Sequence, residues 1–214
     1  MSYAVKELYY TLQGEGANTG RAAVFCRFAG CNLWTGHEKD RSMAICSFCD
    51  TDFVGTNGPG GGHFKTATDL ARAVETVWSR SSQTRKCKRL VVCTGGEPLL
   101  QLDEPLVLAF HNEGFELAIE TNGTLLPPTG IDWVCVSPKA GTELVLMSGN
   151  ELKLVFPQEG AEPERFEDLI FEHYFLQPMD GVERGANTTL AIQYCLKHPQ
   201  WRLSLQTHKL LGIP

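Results

Sequence analysis

Cys31, Cys46 and Cys49 stand in one stretch rich in glycine and polar residues, and Thr94-Gly95-Gly96-Glu97-Pro98 follows an apolar run further along the chain. A cubane [4Fe-4S] cluster normally takes four thiolates. Three cysteines with no evident fourth suggest a site-differentiated cluster, one iron being left for a small-molecule ligand. The Gly-Gly-Glu-Pro turn offers what such a ligand needs: main-chain groups open to approach because glycine lacks Cβ, and a carboxylate for an ammonium. Taken alone, Cys46-Ser47-Phe48-Cys49 also reads as half of a zinc site or as a redox pair. Zinc is the competing metal, with His37 and His63 nearby, although neither forms a second tight pair with a cysteine. Glu97, Glu120 and Asn122 are candidate partners for the ligand of the open iron, and Phe48 is either a stacking surface for a nucleobase or plain filler.

The elements that must position these residues alternate between strand and helix. Short β-compatible runs fall at 5–10, 22–28, 89–93, 116–120, 133–136, 151–156, 174–176 and 202–205, several of them nearly all apolar and so expected to be buried on both faces of a parallel sheet. A helix is predicted over 66–79, where Thr66 and Asp69 have capping-box spacing and Leu70, Val74, Val77 and Trp78 recur at helical intervals. Further helices are expected at 103–113, 163–171 and 187–198. The pattern is open α/β or an incomplete barrel. Gly58-Pro59-Gly60-Gly61-Gly62 reads as a flexible surface loop. Cys31, Thr94 to Glu97, Glu120 to Gly123, Ser137 to Lys139 and Gln177-Pro178 each follow or end a strand. In parallel α/β folds the loops at the carboxyl ends of strands converge, so these motifs are expected on one rim.

Size and charge narrow the chemistry. The 214 residues suffice for one domain with a full core, and 43% hydrophobic with 21% charged residues is ordinary globular composition. A net charge of -6 argues against nucleic acid as the main partner and leaves a small-molecule substrate. No apolar run approaches the roughly 20 residues that cross a bilayer, and the start Met-Ser-Tyr-Ala-Val-Lys-Glu lacks the apolar block of a secretion signal, so no membrane association and a cytoplasmic location are expected. Cys26, Cys93 and Cys135 lie in apolar runs and read as small hydrophobes, as do Cys87 and Cys195, with all thiols reduced.

Cysteines spaced three and then two residues apart with an aromatic before the last, followed by Gly-Gly-Glu-Pro, mark radical S-adenosylmethionine enzymes. This chain resembles them in the second interval but places fourteen residues between Cys31 and Cys46. An enlarged loop still closes on one cluster, because loop entropy rises by only about 0.6 kcal/mol per doubling of length. The opening Glu7-Leu8-Tyr9-Tyr10-Thr11-Leu12-Gln13-Gly14-Glu15-Gly16 is similar to the start of 7-carboxy-7-deazaguanine synthases. Arg27, Thr51, Thr94 to Pro98, Thr121-Asn122-Gly123, Ser137-Pro138-Lys139, Gln177-Pro178 and Gln206-Thr207-His208-Lys209 resemble that family in order, over nearly the whole chain.

The resemblance implies a single radical S-adenosylmethionine domain over 1–214, built as an incomplete, partial TIM-like barrel of mostly parallel strands with a long cluster-binding loop. It implies ring contraction of 6-carboxy-5,6,7,8-tetrahydropterin to 7-carboxy-7-deazaguanine with loss of ammonia, using a [4Fe-4S] cluster, S-adenosylmethionine and Mg2+. An electron donor such as flavodoxin and a homodimer go with it. Cys31, Cys46 and Cys49 would hold three irons. Gly96 and Glu97 would meet the amino group of S-adenosylmethionine, Glu120 and Asn122 the ribose, Ser137 and Lys139 the carboxylate or ribose, and Phe48 and Gln177 the adenine, with Cys49, Asp50, Gly95 and Pro138 completing the cofactor set. Judged without the resemblance, Lys139 reads equally as a solvated loop cation or as a contact residue. Leu12, Gln13 and Gly14 would recognise substrate, Arg27 pairing its carboxylate and Thr94 reaching it from the turn. Glu15 would accept from an aminopyrimidine edge or cap a loop, while His208 and a terminal carboxylate at Pro214 are further candidates. Thr51 would bind Mg2+ together with substrate oxygens and waters, against the plainer reading of a turn threonine between Asp50 and Asp52. Two other functions compete: a radical activase acting on a glycine of a partner protein, and a zinc-binding interaction module without turnover.

Overall fold

The computed structural model describes residues 2–82 and 87–214. Nine strands form one sheet: β1 (Tyr3–Leu12), β2 (Ala22–Phe28), β3 (Gly62–Phe64), β4 (Arg89–Gly95), β5 (Phe115–Thr121), β6 (Trp133–Val136), β7 (Ser148–Phe156), β8 (Ile170–Pro178) and β9 (Trp201–Leu203). Their order is β3-β1-β2-β4-β5-β6-β7-β8-β9. From β2 to β9 every pairing is parallel and the order never reverses, whereas β1 runs antiparallel to both β2 and β3. The sheet is therefore mostly parallel, curls in one sense and stays open, with β3 and β9 at its edges, as an incomplete barrel requires. The strands that the sequence suggested are all present and mostly parallel, as expected, with β1 and β3 supplying the antiparallel pairs.

Helices α1 (Ala67–Ser81), α2 (Glu104–Asn112), α3 (Arg184–Lys197) and α4 (Thr207–Leu211) complete the order. Thr66 caps α1 by accepting from Asp69 N, and Asp103 caps α2 by accepting from Leu106 N, which satisfies one orphan donor at each start. The capped helices put Leu70, Val74, Trp78, Leu106 and Phe110 against Val24, Cys26, Val91, Leu117 and Ile119. A second core, centred on Leu152, Leu154, Leu176, Ala191 and Trp201, lies at the other end of the sheet.

Alternation along each strand decides what faces inward. On β2, Val24, Cys26 and Phe28 pack toward the helices, and on β5 Leu117 and Ile119 do the same. The opposite faces carry Ala23, Phe25 and Ala118 in a small inner cluster, and then Arg27 and Glu120 at the carboxyl ends, in the wall of a cavity. The strands that looked buried on both faces thus become polar on the inner face toward their ends.

Two expectations fail. The helix predicted over 163–171 is a single 3-10 turn, Pro163–Phe166, because Ile170 and Phe171 are taken into β8 by pairing with Ser148 and Gly149. The Gly58 to Gly62 run is not a free loop. Gly58 N donates to Lys6 O, Leu8 N donates to Pro59 O, and a Cβ on Gly61 would lie 2.1 Å from Lys6 O, so the glycines let this segment press onto β1 before Gly62 opens β3. Cys26, Cys93 and Cys135 are buried as expected, while Cys87 is exposed and Cys195 half-buried. Among the described residues no helix is long and apolar enough to cross a membrane.

Asp103 both caps α2 and accepts from Tyr3 Oη at 2.7 Å, joining the helix to β1. Asp103→Ala is expected to lower unfolding free energy by about 1–2 kcal/mol, measured by urea denaturation with an unchanged slope.

Candidate active site

One cavity of about 360 Å3 opens at the carboxyl ends of the strands, a size suited to a small-molecule site. Every residue assigned above to the cluster, S-adenosylmethionine, Mg2+ or the substrate lines it except Glu97 and Pro138. Cys31, Cys46, Phe48, Cys49, Asp50 and Thr51 enter from the loop after β2, and Leu12, Gln13, Gly14 and Glu15 from the end of β1. Arg27 is on β2, Thr94 and Gly95 on β4 with Gly96 just beyond, Glu120 on β5 with Asn122 after it, and Ser137 and Lys139 follow β6. Gln177 is on β8, His208 on α4, and Pro214 reaches the wall from the tail.

The turn after β4 is packed against the start of the cysteine loop. Glu97 N donates to Gly30 O at 2.9 Å, and a Cβ on Gly96 would sit 1.9 Å from the same oxygen. Gly95 has φ +125°, and its Cβ would meet Phe28 O at 2.3 Å. The two glycines are therefore required for chain-to-chain approach beside Cys31 as well as for cavity access. Glu97 is fully buried beneath the wall: it accepts from Leu99 N (2.9 Å), Thr121 Oγ1 (2.8 Å) and Asn122 N (2.8 Å), locking the β4 turn to the end of β5. Burial nevertheless raises its pKa, against those hydrogen bonds. The carboxylate that the sequence assigned to the amino group thus also supports the turn from below the cavity wall. Pro138 is likewise buried behind the wall, its carbonyl accepting from Gln158 Nε2.

Interaction between the two thiols of the Cys46 to Cys49 turn, with burial, raises Cys46, and the same interaction brings Cys49 down to about 6. Burial raises the Cys31 thiol, whose Sγ accepts from Leu33 N at 3.4 Å. Three thiols on one cavity wall suit a cluster in which each bonds a different iron. Among the described residues no three His, Cys, Asp or Glu side chains converge to hold a single metal ion, and neither His37 nor His63 lines the cavity. The acids flanking Thr51 are both engaged by lysines, Asp52 with Lys6 (2.9 Å) and Asp50 with Lys209 (2.6 Å).

Lys139 is no solvated cation: it is half-buried and donates from Nζ to Ser137 O and Oγ at 2.6 and 2.7 Å. Burial lowers its pKa, opposed by the neighbouring Cys46 and Cys49. Asn122 Nδ2 donates to Asn32 Oδ1 at 2.9 Å, a second tie between the end of β5 and the cysteine loop.

The inner face holds a charge network that sequence reading missed in part. Arg27 donates from Nε to Glu7 Oε1 (2.8 Å) and from Nη2 to Tyr9 Oη (2.7 Å), leaving Nη1 without a protein acceptor among the described residues. Lys153 on β7, only 4% exposed, donates from Nζ to Glu15 (2.5 Å) and Glu120 (3.3 Å). Gln13 Nε2 donates to Glu120 at 2.9 Å, and Thr94 Oγ1 reaches the same carboxylate at 3.4 Å. Burial alone would raise Glu15, but the Lys153 charge and hydrogen bond, with Gln206 and His208, bring it down to about 2. Glu7, Tyr9 and Lys153 carried a findable signal, namely a charged or hydroxyl side chain in alternation with apolar residues inside a strand. The tail closes one side: Thr207 Oγ1 donates to Gly14 O at 2.7 Å, Thr11 Oγ1 to Pro214 O at 2.9 Å, and a Cβ on Gly14 would overlap the His208 ring at 2.2 Å.

An open, mostly parallel barrel with thiols and a Gly-Gly-Glu-Pro turn at its C-terminal mouth is the architecture that the sequence resemblance implied for the radical S-adenosylmethionine class. No protein-family model matches the chain. It is 66% identical to the 7-carboxy-7-deazaguanine synthase of Bordetella pertussis and 63% identical to that of Caulobacter vibrioides, in each case over 100% of both chains. The crystal structure of QueE from Escherichia coli matches with a TM-score of 0.69 at 27% identity, covering 96% of this chain and 94% of that one. The chain belongs to the 7-carboxy-7-deazaguanine synthase family.

Replacing Lys153 by Met leaves Glu15 and Glu120 facing each other without a cation, and is expected to destabilise the fold by about 3 kcal/mol in chemical denaturation at pH 7. The pH dependence has a defined sign. Glu15 is lowered from 4.5 to about 2, so its contribution is complete above pH 4.5 and is lost as pH falls through 2. In Lys153→Met that window moves upward, so acid unfolding followed by circular dichroism should set in at higher pH than in the parent.

Proposed function

We propose that the chain is a radical S-adenosylmethionine lyase that contracts the ring of 6-carboxy-5,6,7,8-tetrahydropterin to 7-carboxy-7-deazaguanine with release of ammonia. The observation that carries this reading is one cavity bounded both by three thiols and by Arg27, Gln13 and Glu15, in a chain that matches synthases over its whole length. When bound, a [4Fe-4S] cluster, S-adenosylmethionine and Mg2+ supply one-electron hydrogen abstraction at carbon 6 of the pterin and an electrophilic clamp on its oxygens.

The work of the chain's own residues is to bind and orient. Cys31, Cys46 and Cys49 hold three irons. Gly96, with Gly95 beside it, and Glu97 meet the amino group of S-adenosylmethionine, the Glu97 carboxylate also keeping the turn in place. Glu120 and Asn122 face the ribose, Ser137 and Lys139 the carboxylate or ribose, and Phe48, Asp50 and Gln177 border the adenine side, with Pro138 shaping the loop. Arg27, steadied by Glu7 and Tyr9, gives its remaining Nη1 to the substrate carboxylate. Leu12, Gln13, Gly14 and Thr94 contact the pterin, and Glu15 accepts from its aminopyrimidine edge while Lys153 fixes the carboxylate. The Thr51 hydroxyl joins substrate oxygens and waters around Mg2+. His208 and Pro214 close the cavity on the tail side. Such positioning at a near-attack distance is what confines the reaction to one carbon.

A single domain over 1–214 belongs to this reading and is supported by the uninterrupted nine-stranded sheet. So do a homodimer, a flavodoxin-type electron donor and a cytoplasmic location, the compartment that keeps an oxygen-sensitive cluster and eight cysteines reduced.

Anaerobic reconstitution followed by incubation with reductant, S-adenosylmethionine and the pterin should yield 7-carboxy-7-deazaguanine by mass spectrometry. Zinc without iron and sulfide would point instead to the interaction module, and iron with no turnover of the pterin to a different radical enzyme. Thr51→Ala should weaken the dependence of rate on Mg2+. Arg27→Ala should raise KM by roughly tenfold or more, the loss of a charge-assisted contact to the substrate carboxylate. Unchanged kinetics in either variant rejects the role given to that residue.

A further inference from the structure

The fourteen residues between Cys31 and Cys46 fold into a built segment rather than a slack loop. Leu33 and Trp34 turn inward, each 7% exposed, and the Trp34 ring meets the buried Phe53 ring edge-to-face at 5.7 Å. Ile45 N donates to Leu33 O at 3.1 Å, closing the base of the segment. A 3-10 turn, Glu38–Met43, then presents Arg41 back across it. The guanidinium lies over the Trp34 ring, Cζ 4.1 Å from its centre. Its Nη1 donates to Ser47 O (2.8 Å) and Cys49 O (3.0 Å), and its Nε to Glu38 Oε2 (2.8 Å).

These contacts join the inserted segment to the backbone of the Cys46 to Cys49 turn at two carbonyls, with one planar, permanently charged group. Carbonyls fixed at 47 and 49 hold the turn whose Cys46 and Cys49 side chains both line the cavity. The stacked Trp34 and the Glu38 carboxylate hold the guanidinium itself, so the tie is directional rather than a mobile surface cation.

We propose that Arg41 is the positioning residue of the cysteine loop: it turns the long insertion into a preformed seat for the cluster and sets a fixed positive charge beside two of its thiolates. The proposal rests on the reading of Cys31, Cys46 and Cys49 as cluster ligands. Removal of this charge should make reduction of the cluster harder, since the reduced state carries one more negative charge.

The test uses the full chain, reconstituted anaerobically, with two readouts besides turnover: the rate of iron release to a chelator and the midpoint potential of the cluster. Arg41→Gln should release iron about tenfold faster, the factor expected from the loss of charge-assisted hydrogen bonds to the turn, and should move the potential to a more negative value. Arg41→Lys keeps the charge without the planar fork, so its potential should return toward that of the parent while iron release stays fast. Glu38→Gln keeps both carbonyl bonds but removes one support of the guanidinium and the negative charge opposing it, so its iron release should fall between the parent and Arg41→Gln while its potential moves to a more positive value. Far-UV circular dichroism checks that each variant is folded, and Arg41→Lys keeps the test open where Arg41→Gln does not fold. Release rate and potential in Arg41→Gln equal to those of the parent overturn the role of Arg41 alone. A parent chain that takes up no iron and sulfide overturns the cluster reading as well.

Discussion

Charge placed on the inner face of a barrel has to be neutralised within the barrel, and Lys153 is where this structure does it. Its ammonium lies within reach of both Glu15 and Glu120. Through them it joins the end of β1, the middle of the sheet at β5 and the later strand β7. Gln13 and Thr94 add hydrogen bonds to Glu120, and Gln206 adds one to Glu15. A buried ammonium with only one carboxylate would leave the other acid unpaired in a poorly solvated space. The arrangement therefore fixes register as well as charge: a strand shifted by one residue would send Lys153 to the helix side and bring Leu152 or Leu154 to the cavity.

A second constraint acts on the other side of the mouth. The turn after β4 and the start of the cysteine loop approach so closely that no side chain fits between them at Gly96. Glu97 and Asn122 then tie both to the end of β5, Glu97 through a buried hydrogen bond from Asn122 N and Asn122 through its side chain to Asn32. Cys31 thus leaves β2 from a rigid seat, whereas Cys46 and Cys49 return to the mouth only after a long excursion. The excursion is ordered by its own small core, Trp34 against Phe53, with Arg41 across it. Loop length of this kind costs little closure entropy, but it needs such internal contacts to hold two thiols in a defined place.

Preorganisation is the common theme of both halves. Arg27 is already oriented by Glu7 and Tyr9 before any substrate carboxylate arrives, and Lys139 is already held by Ser137. Groups fixed in this way lose less freedom when a ligand binds. They also hold a reacting carbon against drift in a reaction where side chemistry has to be kept out.

By itself the amino-acid sequence determined the inventory and much of the layout. The helix cap at Thr66, the strand-then-motif rhythm and the three cysteines with Gly-Gly-Glu-Pro were all legible because they depend on local spacing. So was the set of residues that would meet at one rim, since the carboxyl ends of parallel strands converge. Tertiary structure decided what local spacing cannot carry. It drew Ile170 and Phe171 out of a predicted helix through pairing with β7, and it pressed the Gly58 to Gly62 run onto β1. It sank Glu97 beneath the wall and promoted Glu7, Tyr9 and Lys153 into it. The reason is the same in each case: burial and charge pairing depend on which neighbour arrives from a distant part of the chain, and a strand's inner and outer faces acquire their meaning only when the sheet curls.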